Sequence, residues 1–151
     1  MSWKKNEESG AEAKVDQLVP SEHSYRLQLL IILKSWLTGW VIDNEVNAHK
    51  QRTDIVLTGP NAERYVLELV AHARSGPKDR YGTLQEHFVR STEYLKALNP
   101  NEIWVVNFTT KPPNQYLWPE SINVQAAHIY HTLAWEKVKI TFKDTTVDVI
   151  P

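Results

Sequence analysis

Two carboxylates are conspicuous for the company they keep. In TDIVLTGPNAERYVLELVAHA, residues 53–73, Asp54 opens one apolar run and Glu68 interrupts the next. The two runs read as strands, and GPNAE between them reads as a turn punctuated by Gly59 and Pro60. Alternate residues of a strand share a face, so Glu68, Val70 and His72 point the same way. Asp54 joins them if the pairing register is right. Two carboxylates on adjacent strands can hold one hard divalent cation, which takes an oxygen shell and keeps several of its waters. Such a cation polarises a phosphoryl oxygen and activates a bound water. The structural alternative is that Asp54 caps the strand next to Arg52, while Glu68 pairs with Arg64, Arg74 or a helix group.

The elements around the acids follow from pattern and punctuation. Pro20 and Ser21 start a helix, with Ser21 as N-cap and Glu22 in the first turn. Tyr25, Leu29, Ile32, Leu33, Trp36 and Leu37 recur at three- and four-residue steps and give it an apolar face. Thr38-Gly39 ends it. WVIDNEVNAH and TDIVLT follow as strands. RYVLELVAHA is apolar on both faces, as an interior strand should be. RSGPKDRYG is a loop. TLQEHFVRSTEYLKAL is a second helix, capped by Thr83, with Leu84, Phe88, Thr92 or Leu95, and Leu98 on one side and Asn99-Pro100 as its stop. EIWVVNF is a buried strand, TTKPPNQ a stiff loop, and INVQAAHIYHTL and WEKVKITF a final strand pair. The expected fold is α/β with a mixed sheet: strands one to three form an antiparallel meander, and the helix between strands three and four makes that pair parallel. Trp36, Trp40, Trp104 and Trp135 sit in apolar patterns and are expected in the core. Trp118 and Tyr116 share a loop, where they either stack on bases or anchor the loop by packing.

Bulk composition narrows the class. With 151 residues the default is one domain, 20–151, behind a polar leader or linker at 1–19 that has nothing to bury. A net charge of −1 argues against a polycation that coats nucleic acid, though not against a local basic groove. The absence of cysteine removes disulfides, zinc-thiolate sites and thiol catalysis. Residues 1–17 lack the apolar core of a signal peptide, and no long apolar window exists, so the expectation is an intracellular protein, cytoplasmic or nuclear, with no membrane partner. There is no glycine-rich phosphate loop.

The order helix, meander with Asp on strand two and Glu on strand three, helix, strand resembles the PD-(D/E)xK superfamily over roughly residues 21–108. The resemblance implies a restriction-endonuclease-like αβββαβ core, here with extra C-terminal strands. It implies a metal site at Asp54 and Glu68, with Glu22 from the first helix as a third acid and magnesium or manganese as cofactor, and Gln85 as the second-helix glutamine. The motif's third position, a lysine that orients water and stabilises charge, is occupied here by Val70. His72, two residues on and on the same face, could approach the same site and act as base or donor near neutral pH. The run from Asp54 to about Phe142 further resembles a group of fungal proteins with restriction-endonuclease-like domains, related in style to the C-terminal domains of Crinkler-type effectors and to mobile-element proteins. There EHF corresponds to Glu86, His87 and Phe88, with Arg90 and Tyr94 further along. That implies either an active site relocated onto the second helix or a group without nuclease activity. If the second helix meets strand three, Glu86 or His87 could complete the site. Otherwise Glu86 and Arg90, four apart, pair with each other.

Arg52, Arg74, Lys78 and Arg80 cluster around the acids and could meet phosphates; loop charges are otherwise simply solvated. Three functions follow: a divalent-metal-dependent nuclease that can be expected to form a homodimer, a degenerate domain of that fold that binds nucleic acid or protein, and an effector or protein-interaction module.

Overall fold

The computed structural model describes residues 20–48, 51–71, 80–111 and 115–149, with backbone alone at 48, 51 and 80–83. The 1–19 leader, His72, Arg74 and Lys78 lie outside the described residues. In chain order the elements are α1 (Glu22–Trp36), β1 (Val41–Asn44), β2 (Asn47–Ala48), β3 (Gln51–Arg52), β4 (Ile55–Thr58), β5 (Arg64–Ala71), α2 (Arg80–Leu98), β6 (Glu102–Thr109), β7 (Val124–His131), β8 (Val138–Phe142) and β9 (Thr145–Val149). Setting aside the small β2–β3 hairpin, the first six read αβββαβ, the core order expected from the sequence.

Seven strands make one mixed sheet in the order β1-β4-β5-β6-β7-β8-β9. The meander β1-β4-β5 is antiparallel. The β5–β6 pair, bridged by α2, is parallel, as is β6–β7. Among the described residues, no helix makes the second crossover. Instead the segment before β7 packs Leu117 and Trp118 against the α2 core, so a loop does the covering that a helix usually does. At the tight β4–β5 turn a Cβ on Gly59 would run into the Glu63 carboxylate, which accepts a hydrogen bond from the Asn61 N–H at 2.9 Å.

The two sheet faces carry separate cores, because strand side chains alternate. On one, Val56, Val66, Val70, Ile103, Val105 and Val124 meet Leu84, Phe88 and Tyr94 of α2. On the other, Ile55, Leu57, Leu69, Val106 and Phe108 meet Tyr25 and Leu30 of α1. Ser21 caps α1 as expected, accepting from the Ser24 N–H at 3.2 Å. The apolar face of α1 is displaced from the expected one: Leu30 is buried, whereas Ile32 and Trp36 are 40% and 77% exposed. The helix is apolar on more than one side, so periodicity alone does not select the buried stripe. Trp135 is likewise an exposed ring rather than core, and Trp40 and Trp104 are half-buried. The β8–β9 hairpin lies beyond both helices, and every β9 residue is exposed.

Candidate active site

The hairpin register decides the first question. Ile55 pairs with Leu67 and Val56 with Val66, so one further step sets Asp54 opposite Glu68. Directly opposed residues of an antiparallel pair share a face, and this face is the one covered by α2. The Asp54 Oδ2 accepts a hydrogen bond from the Leu69 N–H at 2.7 Å, which fixes its carboxyl beside the Glu68 backbone. Arg26 of α1 reaches the other oxygen at 3.5 Å.

Glu68 is buried, and α2 supplies its partners. His87 Nδ1 lies 2.9 Å from Oε1, the Tyr94 hydroxyl donates to Oε2 at 3.1 Å, and Arg90 approaches Oε1 at 3.8 Å. These three residues recur at helical spacing and form one stripe facing β5. An ionised carboxylate only accepts, so the His87 Nδ1 carries a proton, and in the neutral tautomer Nε2 is the basic nitrogen.

Three acids feel one another here. Burial first, and then the charges of Glu68 and Glu22, push the Asp54 carboxyl up to about 6, against a bond from Leu69 and the charge of Arg26. Glu22 keeps solvent contact, yet desolvation of its inner side raises its pKa; His87 opposes this and Glu68 reinforces it. Burial and the Glu68 charge also raise the Tyr94 hydroxyl well above the usual phenol range, so it stays a donor. Glu22, from the start of α1, thus converges electrostatically on the Asp54–Glu68 pair. Among the described residues, no three His, Asp or Glu side chains stand together at metal-ligating spacing.

Other expected participants stand elsewhere. Gln85 is exposed and lines a cleft with Phe88, Thr92 and Trp118; two residues from His87, it lies about 200° round the helix, away from the acids. Glu86 is exposed, and Arg90 turns to Glu68. Arg64 donates to the Leu98 carbonyl at 2.8 Å instead of pairing with Glu68. Arg52 is largely exposed and comes within 3.8 Å of Glu45. Arg80 opens α2. Val70 is 2% exposed and belongs to the core with Leu84 and Phe88, so the motif's lysine position is filled by packing. Trp118 and Tyr116 pack on His128, with ring centroids 4.8 and 4.3 Å away, as a loop anchor does.

The sequence reading missed Arg26. It sits next to Tyr25, bonds His23 Nδ1 at 2.7 Å, and reaches Glu45 at 3.1 Å as well as Asp54. Its place beside a core residue on α1 was the available signal. Also missed was His131, fully buried, whose Nε2 lies 2.6 Å from the Tyr25 hydroxyl.

No protein-family profile matches the chain, and no curated protein does. Solved structures give distant likenesses. SfsA of Pyrococcus furiosus, in complex with Ca2+, is 11% identical with a TM-score of 0.39, over 85% of this chain and 62% of that one. SPO1766 of Silicibacter pomeroyi, a protein of unknown function, is 18% identical with a TM-score of 0.39, over 79% of this chain and 68% of that one. The chain therefore spans 62% of the length of SfsA. Among the described residues, no helix is long and apolar enough to cross a membrane.

Proposed function

We propose that this domain is a nuclease of the PD-(D/E)xK type, hydrolysing phosphodiesters of nucleic acid with magnesium or manganese. The observation that carries the reading is the register that sets Asp54 opposite Glu68 on one sheet face. The donor set suits the ion: Asp54 and Glu68 offer only oxygen, as hard divalent cations prefer, and of the causes that raise Asp54, burial first and then the Glu68 charge, the second is what a bound cation relieves. Glu22 adds charge from the edge of the site. When bound, the ion supplies an activated water and neutralises charge on the phosphate. Of the chain's own groups, His87 offers a basic nitrogen for the water's proton, and its contact with Glu68 fixes its tautomer. Tyr94 holds Glu68 in place.

A second reading, a domain of this fold that binds nucleic acid without cutting it, is favoured by one feature. Both Glu68 oxygens already accept from protein donors, and position 70 has no cation. The test is cleavage of labelled single- and double-stranded DNA and RNA with each metal, wild type beside Glu68→Gln. Cutting by wild type and a fall of about two to three orders of magnitude in the variant supports the nuclease. Binding in low salt with no cutting by either supports the second reading, and neither binding nor cutting removes both.

A further inference from the structure

A phosphodiester brought to Asp54 and Glu68 carries negative charge into a cluster of acids. The site therefore needs a cation that touches the substrate, and among the described residues few side chains qualify. Arg26 is committed to His23, Glu45 and Asp54, and its side chain is only 13% exposed. Arg52 lies out at Glu45, at 3.8 Å. His87 is hydrogen-bonded to Glu68 and nearly buried. Position 70 on β5 offers only a valine sealed against α2. Arg90 differs from all of these. Its side chain is 36% exposed, and its 3.8 Å approach to the Glu68 Oε1 is a charge contact, longer than a hydrogen bond. Its Nη1 is at the acids, and part of the side chain is open to solvent. It also sits on the α2 stripe with His87 and Tyr94, so the same helix that holds Glu68 aims it.

We infer that Arg90 is the phosphate-binding residue of this site, delivered by α2 because β5 has packed its own candidate position into the core. The ligand is a phosphodiester of a nucleic-acid strand, and a guanidinium can grip two of its oxygens at once. An ammonium at residue 90 would keep the charge and lose the fork.

The inference rests on the metal-nuclease reading, and the experiment separates the two. Binding of a fluorescent single-stranded oligonucleotide is followed by anisotropy across salt concentrations with EDTA present. Cleavage is followed with manganese, and manganese affinity is titrated separately. The set comprises wild type, Arg90→Ala and Arg90→Lys; the residue is solvent-exposed enough for all three to fold, with circular dichroism as the check. Arg90→Ala should weaken binding about tenfold and reduce the slope of log affinity against log salt by about one. Its cleavage should fall, and added ethylguanidinium should restore part of it. Arg90→Lys should keep the salt slope and lose cleavage, and all three should bind manganese alike. An unchanged salt slope with unchanged cleavage in Arg90→Ala, beside an active wild type, overturns the inference and leaves the nuclease standing. A loss of manganese affinity matching the loss of cleavage, with no rescue by ethylguanidinium, also overturns it, since Arg90 would then only brace Glu68. A wild type that neither binds nor cuts removes the nuclease and the inference together.

Discussion

Two buried polar clusters are tied to α1, and they are built on opposite principles. At Asp54–Glu68 like charges face each other, and burial raises the Asp54 carboxyl to about 6. At Tyr25–His131 nothing is charged. The His131 Nδ1 donates to the Thr132 carbonyl at 2.9 Å, its Nε2 accepts from the Tyr25 hydroxyl at 2.6 Å, and Trp135 stacks on the ring at 3.7 Å and 2°. Burial lowers the His131 pKa and pushes the Tyr25 phenol up to about 12, so both are held neutral. Tyr25 also stacks on Phe108 at 4.2 Å. The second cluster fastens α1 to the sheet with every group satisfied. The first keeps acids together against their repulsion, which is the signature of a functional site more than of a structural one.

Substitutions can break this contrast. The largest stability loss is expected for His131→Ala, about 3 kcal/mol, because it leaves a cavity and strips the Tyr25 hydroxyl of its acceptor. Urea unfolding should show it with the wild-type pH slope above pH 7 unchanged. Next is Asp54→Asn, with the opposite sign. The Asp54 carboxyl titrates at about 6 in the fold against an ordinary 3.8. The folded chain thus holds this proton more tightly than the unfolded one. The associated stability is present below about pH 4 and is lost as pH rises through 6. The variant should therefore be more stable than wild type at pH 7, by on the order of 2 kcal/mol, and equal to it near pH 4. Manganese should stabilise wild type and narrow that gap. His131 has the reverse dependence: its lowered pKa favours the fold above the ordinary histidine value and costs stability as pH falls below it. Tyr25→Phe should cost about 1 kcal/mol, one buried hydrogen bond. Trp36→Ala should change the unfolding midpoint least, by under about 0.5 kcal/mol, since its ring is 77% exposed; a large loss would mean that its face is covered in solution.

Much of this architecture is legible in the sequence, and the gaps have physical causes. The turn at Gly59-Pro60 announces the β4–β5 hairpin, but the opposition of Asp54 and Glu68 depends on a register that only the structure gives. The helix between β5 and β6 announces their parallel pairing. β9 escapes because TTVDV is short and wholly exposed, so burial leaves no pattern in it. α2 begins at Arg80, ahead of the Thr83 cap, because RYG breaks the apolar period without breaking the helix. The stripe of His87, Arg90 and Tyr94 is hard to read because these residues flank the apolar face that includes Leu84 and Phe88; only the sheet reveals which carboxylate lies beneath them. Val70 is legible as a departure, but not that α2 brings Arg90 within 3.8 Å of Glu68.

The mixture of antiparallel and parallel pairs has a kinetic consequence. β4–β5 and β8–β9 are local hairpins, which close on the order of microseconds. β5–β6 and β6–β7 must wait for long loops to close. The carboxylates of Asp54 and Glu68 therefore meet early, before α2 has brought His87, Arg90 and Tyr94. For that interval the pair repels with nothing to balance it. Refolding in a stopped-flow instrument at pH 7 should accordingly run faster for Asp54→Asn than for wild type, and added salt should shrink the difference.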